Sequence, residues 1–167
     1  MEKLIAWLKP LTDTPLAQWV QADTYAFPGL EAVHVISVML VFGSIAMLDL
    51  RLLGLSSRGH SATKITHEVL PWTWAAFAVA AVTGALLFVA QAPSYVANRE
   101  FQIKMGLMVL AGINLGVFHF MTWSSVRHWD NRLPTPAAAR VAATISLICW
   151  TGVVIAGRWI GWTLTSH

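Results

Sequence analysis

Four long apolar runs constrain this chain more than anything else in it. They cover about residues 30–53, 69–90, 101–123 and 141–164. The first stops at Gly54 and the polar Ser56, Ser57 and Arg58, and the second at Gln91 and Pro93. Crossing the hydrocarbon core of a bilayer takes about 20 mostly apolar residues in a helix. Lipid offers no water to a backbone N–H or C=O, so a run of that length inside it must be helical. The linkers are short, and helices joined this way pack up and down beside one another. The expected fold is therefore all-α: an integral membrane antiparallel four-helix bundle, one membrane domain over residues 1–167, with an N-terminal interfacial segment over residues 1–27. In that segment Leu4, Ile5, Leu8 and Leu11 share a helical face, with Trp7 near its edge. That pattern suits a helix lying on the membrane. Too few apolar residues separate Lys3 from Lys9 and Pro10 to form the core of a signal peptide. Pro71 stands where the second run enters the membrane and predicts a kink there.

Composition narrows the function classes. Only 11% of the residues are charged and 56% are hydrophobic, whereas a soluble domain carries about a quarter charged residues. A chain of 167 residues leaves little room beside four spans for a water-exposed catalytic domain. The net charge of +3 would suit nucleic acid, but the Lys and Arg residues sit mostly between the apolar runs. There they act as topology signals, and nucleic acid is not an expected partner. The single cysteine, Cys149, cannot form an internal disulfide.

The cations predict an orientation. Arg51, Arg58 and Lys64 follow the first span, and Arg127, Arg132 and Arg140 follow the third. The opposite side has Lys9 and Arg99 near the spans and Lys3 farther off. The positive-inside rule then places both termini outside the cytoplasm. Counting Lys104 and Arg158, which fall within spans, narrows the tally to six against five. Tryptophans mark the expected headgroup levels: Trp72, Trp74, Trp123 and Trp129 on the inner side, Trp159 and Trp162 on the outer, with Trp7 and Trp19. Trp150 alone falls at mid-depth.

Small residues indicate where helices meet. Gly112 and Gly116, Gly157 and Gly161, and Ala80 and Gly84 each have the four-residue spacing that lets backbones approach in lipid. They are expected to serve packing. The methionines are expected to fill gaps.

Ionisable groups inside spans are costly, so each is a functional candidate. They fall into two layers. Glu31, His34, Lys104 and Arg158 lie at the outer level, and Asp49, His67, His119 and Arg51 at the inner level. Lys104 and His119 are fifteen residues apart, about 22 Å along a helix axis and roughly 60° around it. His67 and His119 come from consecutive spans and approach the same membrane surface. Two neutral imidazoles from facing helices can hold haem iron axially, and bundle interiors house such cofactors. Arg51, Lys64 and Arg127 are nearby cations suited to haem propionates. His34 is a separate ligand candidate with no second histidine at its depth; Lys104 or Arg158 could meet a propionate, a quinone oxygen or Glu31 there. The alternative is that Glu31 neutralises one cation while the other snorkels to the headgroups. His67, His119 and His34 are also the candidates for a bare metal ion. No CxxC, HExxH, phosphate-binding loop or dinucleotide fingerprint is present.

The stretch Glu31-Ala-Val-His34, then Leu48-Asp49-Leu-Arg51-Leu-Leu-Gly54, resembles an uncharacterised bacterial family of small four-span membrane proteins. Thr83-Gly84, Leu87-Phe88, Asn98, Phe101, Lys104, Asn114 and Phe118-His119 extend the resemblance over most of residues 28 to 120. More remotely, His34 and Phe101-Gln-Ile-Lys104 resemble copper-resistance D membrane domains and the haem-binding membrane protoporphyrinogen oxidase. The second resemblance implies His34 as a haem ligand and Lys104 as its polar partner. The chain lacks the oxidase's arginine-lysine pair and has His119 and Asp49 besides, so haem binding is implied rather than the oxidase reaction.

Three functional classes are compatible with these features. The first is a haem b protein that moves electrons in the membrane or serves as membrane subunit of a redox complex, with a partner protein or a quinone. The second is a copper- or proton-handling membrane protein. The third is a structural subunit, in which buried polar groups fix helix pairing or a homo-oligomer.

Overall fold

The structure is a computed structural model that describes residues 2–56, 62–122 and 135–165. Among the described residues every regular element is a helix. Two short helices come first, α1 (Glu2–Thr12) and α2 (Pro15–Ala22). Four long ones follow in the order α3 (Ala26–Leu52), α4 (Ala62–Ala90), α6 (Arg99–Val117) and α7 (Ala137–Thr165), with the short α5 (Ala92–Ala97) between α4 and α6. A π-helical turn, Phe118–Thr122, continues α6. All four long helices are long and apolar enough to cross a bilayer. The protein is thus an all-α four-helix bundle with the character of a multi-pass membrane protein.

The helices outrun the apolar runs for local reasons. α3 begins at Ala26 because the Asp23 carboxylate accepts the backbone N–H groups of Tyr25 and Ala26, both at 2.8 Å. α4 starts at Ala62 and runs through Pro71 as one helix. α6 is capped by Asn98, whose side-chain oxygen accepts the Phe101 N–H at 3.0 Å. Gly54, with φ of +73°, ends the first long helix in the left-handed conformation that glycine adopts without strain. Trp123, Trp129, Arg58, Arg127, Arg132, His60, His128 and His167 lie outside the described residues.

The bundle is not a closed square. α3 packs along both α4 and α7, and α7 packs along α6. α4 and α6, though consecutive spans, pack on each other only sparsely. α7 carries its buried face on Ala139, Ala143, Cys149, Val153, Ala156 and Ile160, small or slender residues at helical spacing. Gly152 lets Leu107 of α6 come so close that a methyl group there would stand 2.7 Å from Leu107 Cδ1. Asn114 of α6 donates to the Ala142 carbonyl of α7 at 3.0 Å.

The two ends of the bundle differ. At the terminal end lie α1, α2, α5, the start of α6 and the close of α7. Phe88, Tyr95 and Phe101 form an aromatic group there; Phe88 and Phe101 stack with centroids 5.7 Å apart and bridge α4 to α6. α2 buries Ala17 and Val20, packs on α4 and α3, and sends the Gln21 amide to the Ala90 carbonyl. The N-terminal segment is therefore folded onto the bundle, with Trp7 and Trp19 left exposed. At the loop end, Leu52, Phe118, Ala139 and Ala143 form a small core.

Candidate functional site

His34 anchors a polar layer at the terminal end. Its imidazole rests on α4 over Gly84: a methyl group at that glycine would come 2.9 Å from His34 Cε1. Nδ1 is 2.9 Å from the Ala80 carbonyl oxygen. A carbonyl only accepts, so Nδ1 carries the proton, and in the neutral ring Nε2 keeps a lone pair. The Thr83 hydroxyl lies 3.1 Å from Nδ1 and donates to the Val79 carbonyl at 2.7 Å, so it too accepts from the imidazole. A backbone acceptor that fixes the tautomer and tilt of the ring is the arrangement that orients metal-binding histidines.

Charged groups from three helices converge on this layer. Lys104 of α6 is close enough to His34 to act on it electrostatically. Its Nζ would stand 3.7 Å from a methyl group at Gly157 of α7. One turn along, Glu31 Oε1 and Arg158 Nη1 would stand 3.5 Å and 3.9 Å from a methyl group at Gly161. The Gly157 and Gly161 spacing thus admits charged side chains rather than a helix backbone. Tyr95 of α5 joins the layer: burial first, and then the Glu31 carboxylate, push its phenol up to about 12. Asn98 ties the layer to α7 through a 2.7 Å bond to the Thr163 hydroxyl.

The histidine pair from the second and third spans is placed differently. His67 and His119 are both exposed. They stand on α4 and on the π-helical turn, elements that do not pack extensively on each other. The structure brings His34, Lys104, Glu31 and Arg158 together, and does not bring His67 and His119 together in the same way. Arg51 is half-buried near the end of α3 and makes contacts of its own. Among the described residues, no three His, Cys, Asp or Glu gather as a metal site.

A second feature lies toward the loop end: a cavity of about 330 Å³ that reaches all four long helices. Its wall is mostly apolar, with Ser44, Asp49, Thr66, Thr73, Asn114 and Ser146 as polar exceptions. Asp49 is 6% exposed and pairs with Ser146, yet its Oδ2 is buried with no hydrogen-bond partner among the described residues. Thr66 Oγ1 is in the same state. Leaving a buried polar group unpaired costs about 1–3 kcal/mol. The cavity exists because α4 and α6 part below the Phe88–Phe101 stack. Trp74 and Leu115, on the rims of that parting, are 60% and 61% exposed, so the cavity reaches the lipid-facing surface.

Sequence reasoning places the outer layer by depth but misses its seat. Thr83, the Ala80 carbonyl and Tyr95 carry no periodic signal; the Ala80 and Gly84 spacing and the Thr83-Gly84 resemblance point to the first two, and neither points to Tyr95. It misses the cavity altogether, because a parting between consecutive spans leaves no mark in hydropathy.

The fold and its polar layer define a four-span membrane bundle with half-buried His34 and Lys104 at one end, flanked by exposed Glu31 and Arg158. The chain belongs to a family of unknown function (DUF6644), whose profile matches residues 20–163. This meets the expectation of an uncharacterised family. No curated protein and no solved structure matches the chain.

Proposed function

We propose that this protein is a membrane-embedded b-type haem protein of a redox system, with its haem held in the terminal layer through His34. The observation that carries this reading is the bond from His34 Nδ1 to the Ala80 carbonyl, which leaves Nε2 free to bind iron. The donor set fits the group: one oriented imidazole, with Lys104 and Arg158 as cations for two propionates. Bound haem b would supply a one-electron couple at that depth. The chain's own part is to hold the ring nitrogen in one tautomer, to offset carboxylate charge, and to keep water out with the Phe88, Tyr95 and Phe101 rings. The partner is a soluble redox protein or a lipid-borne donor, and the setting is a bacterial inner membrane with both termini outside the cytoplasm. Cytoplasmic signals from reporter fusions at Gly59 and Asn131, and an external one after His167, are the expected topology result.

The test is a reduced-minus-oxidised absorption spectrum of the purified protein in detergent. A b-type spectrum is expected in the parent protein, in His67→Ala and in His119→Ala. His34→Ala should lose it while eluting as a folded species, and added imidazole should restore part of it. A haem-free parent protein, or loss only in the His67 and His119 variants, would overturn the assignment.

A further inference from the structure

Asp49 lies about 22 Å along α3 from His34, fifteen residues on, while the near edge of the cavity at Val41 is about 10 Å from His34. His34, Glu31, Lys104 and Arg158 do not line the cavity, so a ligand at Asp49 makes its contacts apart from haem at His34. Three features of the cavity bear on a ligand. It is lined by α4 and α6, which pack on each other only sparsely, and its mostly apolar wall suits a molecule with an apolar part. It contains one carboxyl oxygen, Asp49 Oδ2, which is buried and has no hydrogen-bond partner among the described residues. When ionised, such an oxygen calls for a hydrogen-bond donor from outside the chain. Its walls include the rings of Trp74, Phe77, Phe118 and Trp150, and Trp74 and Phe77 meet edge to face with centroids 6.0 Å apart. Aromatic walls favour a flat aromatic head.

We propose that this cavity is a binding site for a membrane-soluble hydroquinone. The ring lies among the aromatic side chains, one hydroxyl donates to Asp49 Oδ2, and the apolar tail leaves through the parting between α4 and α6. The volume of about 330 Å³ falls at the small end of ligand pockets, which hold about 300–1,000 Å³. It suits a ring with a few substituents and leaves the tail in lipid. A plain acyl chain would fill the apolar part but leave Asp49 unpaired. An oxidised quinone offers acceptors only and cannot serve Asp49 while the carboxyl is ionised.

The experiment is a titration of the full-length protein in lipid nanodiscs with decylubiquinol, followed by tryptophan fluorescence, since Trp74 and Trp150 line the cavity. Saturable quenching is expected, about ten-fold tighter than for decylubiquinone, a ratio equal to one well-made hydrogen bond. Asp49→Leu should weaken binding by about ten-fold through loss of that acceptor. Gly112→Phe should abolish it: Gly112 lines the cavity and has nothing within 4 Å of an added Cβ, so the new ring occupies the space without a clash. His34→Gln, which tests the haem reading, should leave hydroquinone binding unchanged. Non-saturating signals, equal affinity for decane, unaltered binding in Asp49→Leu or Gly112→Phe, or loss in His34→Gln would each overturn the proposal.

Discussion

The two ends of the bundle handle buried polarity in opposite ways. At the terminal end, polar groups meet partners: His34 bonds the Ala80 carbonyl, Asn98 bonds Thr163, and Glu31 and Arg158 share the bare surface of Gly161. At the loop end, Asp49 and Thr66 line a cavity, each with an oxygen unpaired among the described residues. The aromatic group at α5 accounts for the difference. It ties α4 to α6 at one end, and nothing equivalent among the described residues does so at the level of the cavity. A tied end can hold charged groups in fixed positions. A parted end can admit a molecule from the bilayer.

That contrast is open to attack with glycine substitutions. Gly84→Ala places a methyl 2.9 Å from the His34 ring, and overpacking of a fitted contact costs about 1–3 kcal/mol. A lowered thermal midpoint in detergent is expected, together with a weakened haem spectrum. Gly112→Ala, with nothing within 4 Å of the new methyl, should change stability by no more than the about 0.5 kcal/mol of a substitution that meets no neighbour. Equal effects at the two glycines would erase the contrast between the ends.

A smaller effect of opposite sign is expected at Asp49. Replacing it with Leu removes an unpaired carboxyl oxygen from apolar surroundings and should raise stability by about 1–2 kcal/mol in ligand-free protein. Thr83→Val at the tied end should lower stability by about 1 kcal/mol, because the His34 imidazole loses one of its two acceptors. Denaturation midpoints of the two variants side by side decide this; destabilisation by Asp49→Leu would show that the carboxyl is partnered after all.

The smallest expected effect concerns Tyr95. With its phenol pushed up to about 12, it stays neutral well above the point where an unfolded tyrosine, at about 10, ionises. Between those values the unfolded chain holds fewer protons than the folded one, so stability falls as pH rises through that window. A Tyr25→Phe variant leaves Tyr95 as the one tyrosine, since the chain has two. Its tyrosinate absorbance should appear only above about pH 11, as the raised value requires, and Tyr95→Phe should lose that share of the alkaline destabilisation.

Legibility from the sequence tracks the range of the forces involved. The need to satisfy every backbone group in lipid is local and periodic, so the apolar runs locate all four long helices to within a few residues at most ends. The extra turns of α3 come from Asp23, a capping interaction that hydropathy does not register. The outer polar layer is legible as depth, because position along a helix is counted in residues. Rotation and neighbour choice are not. His67 and His119 agree in depth, but consecutive spans need not pack, and here α4 lies mainly along α3, and α6 along α7.

Hydropathy and the cost of unpaired backbone groups act residue by residue, without reference to any other part of the chain. For that reason the residue order alone prescribes a four-span helical bundle with ionisable groups at two depths. It took the assembled bundle to make His34 the oriented imidazole, to turn Gly84, Gly157 and Gly161 into seats for polar side chains, and to part α4 from α6 around Asp49. Those outcomes depend on which small residue faces which large one across an interface, and packing of that kind is settled between helices rather than along any one of them.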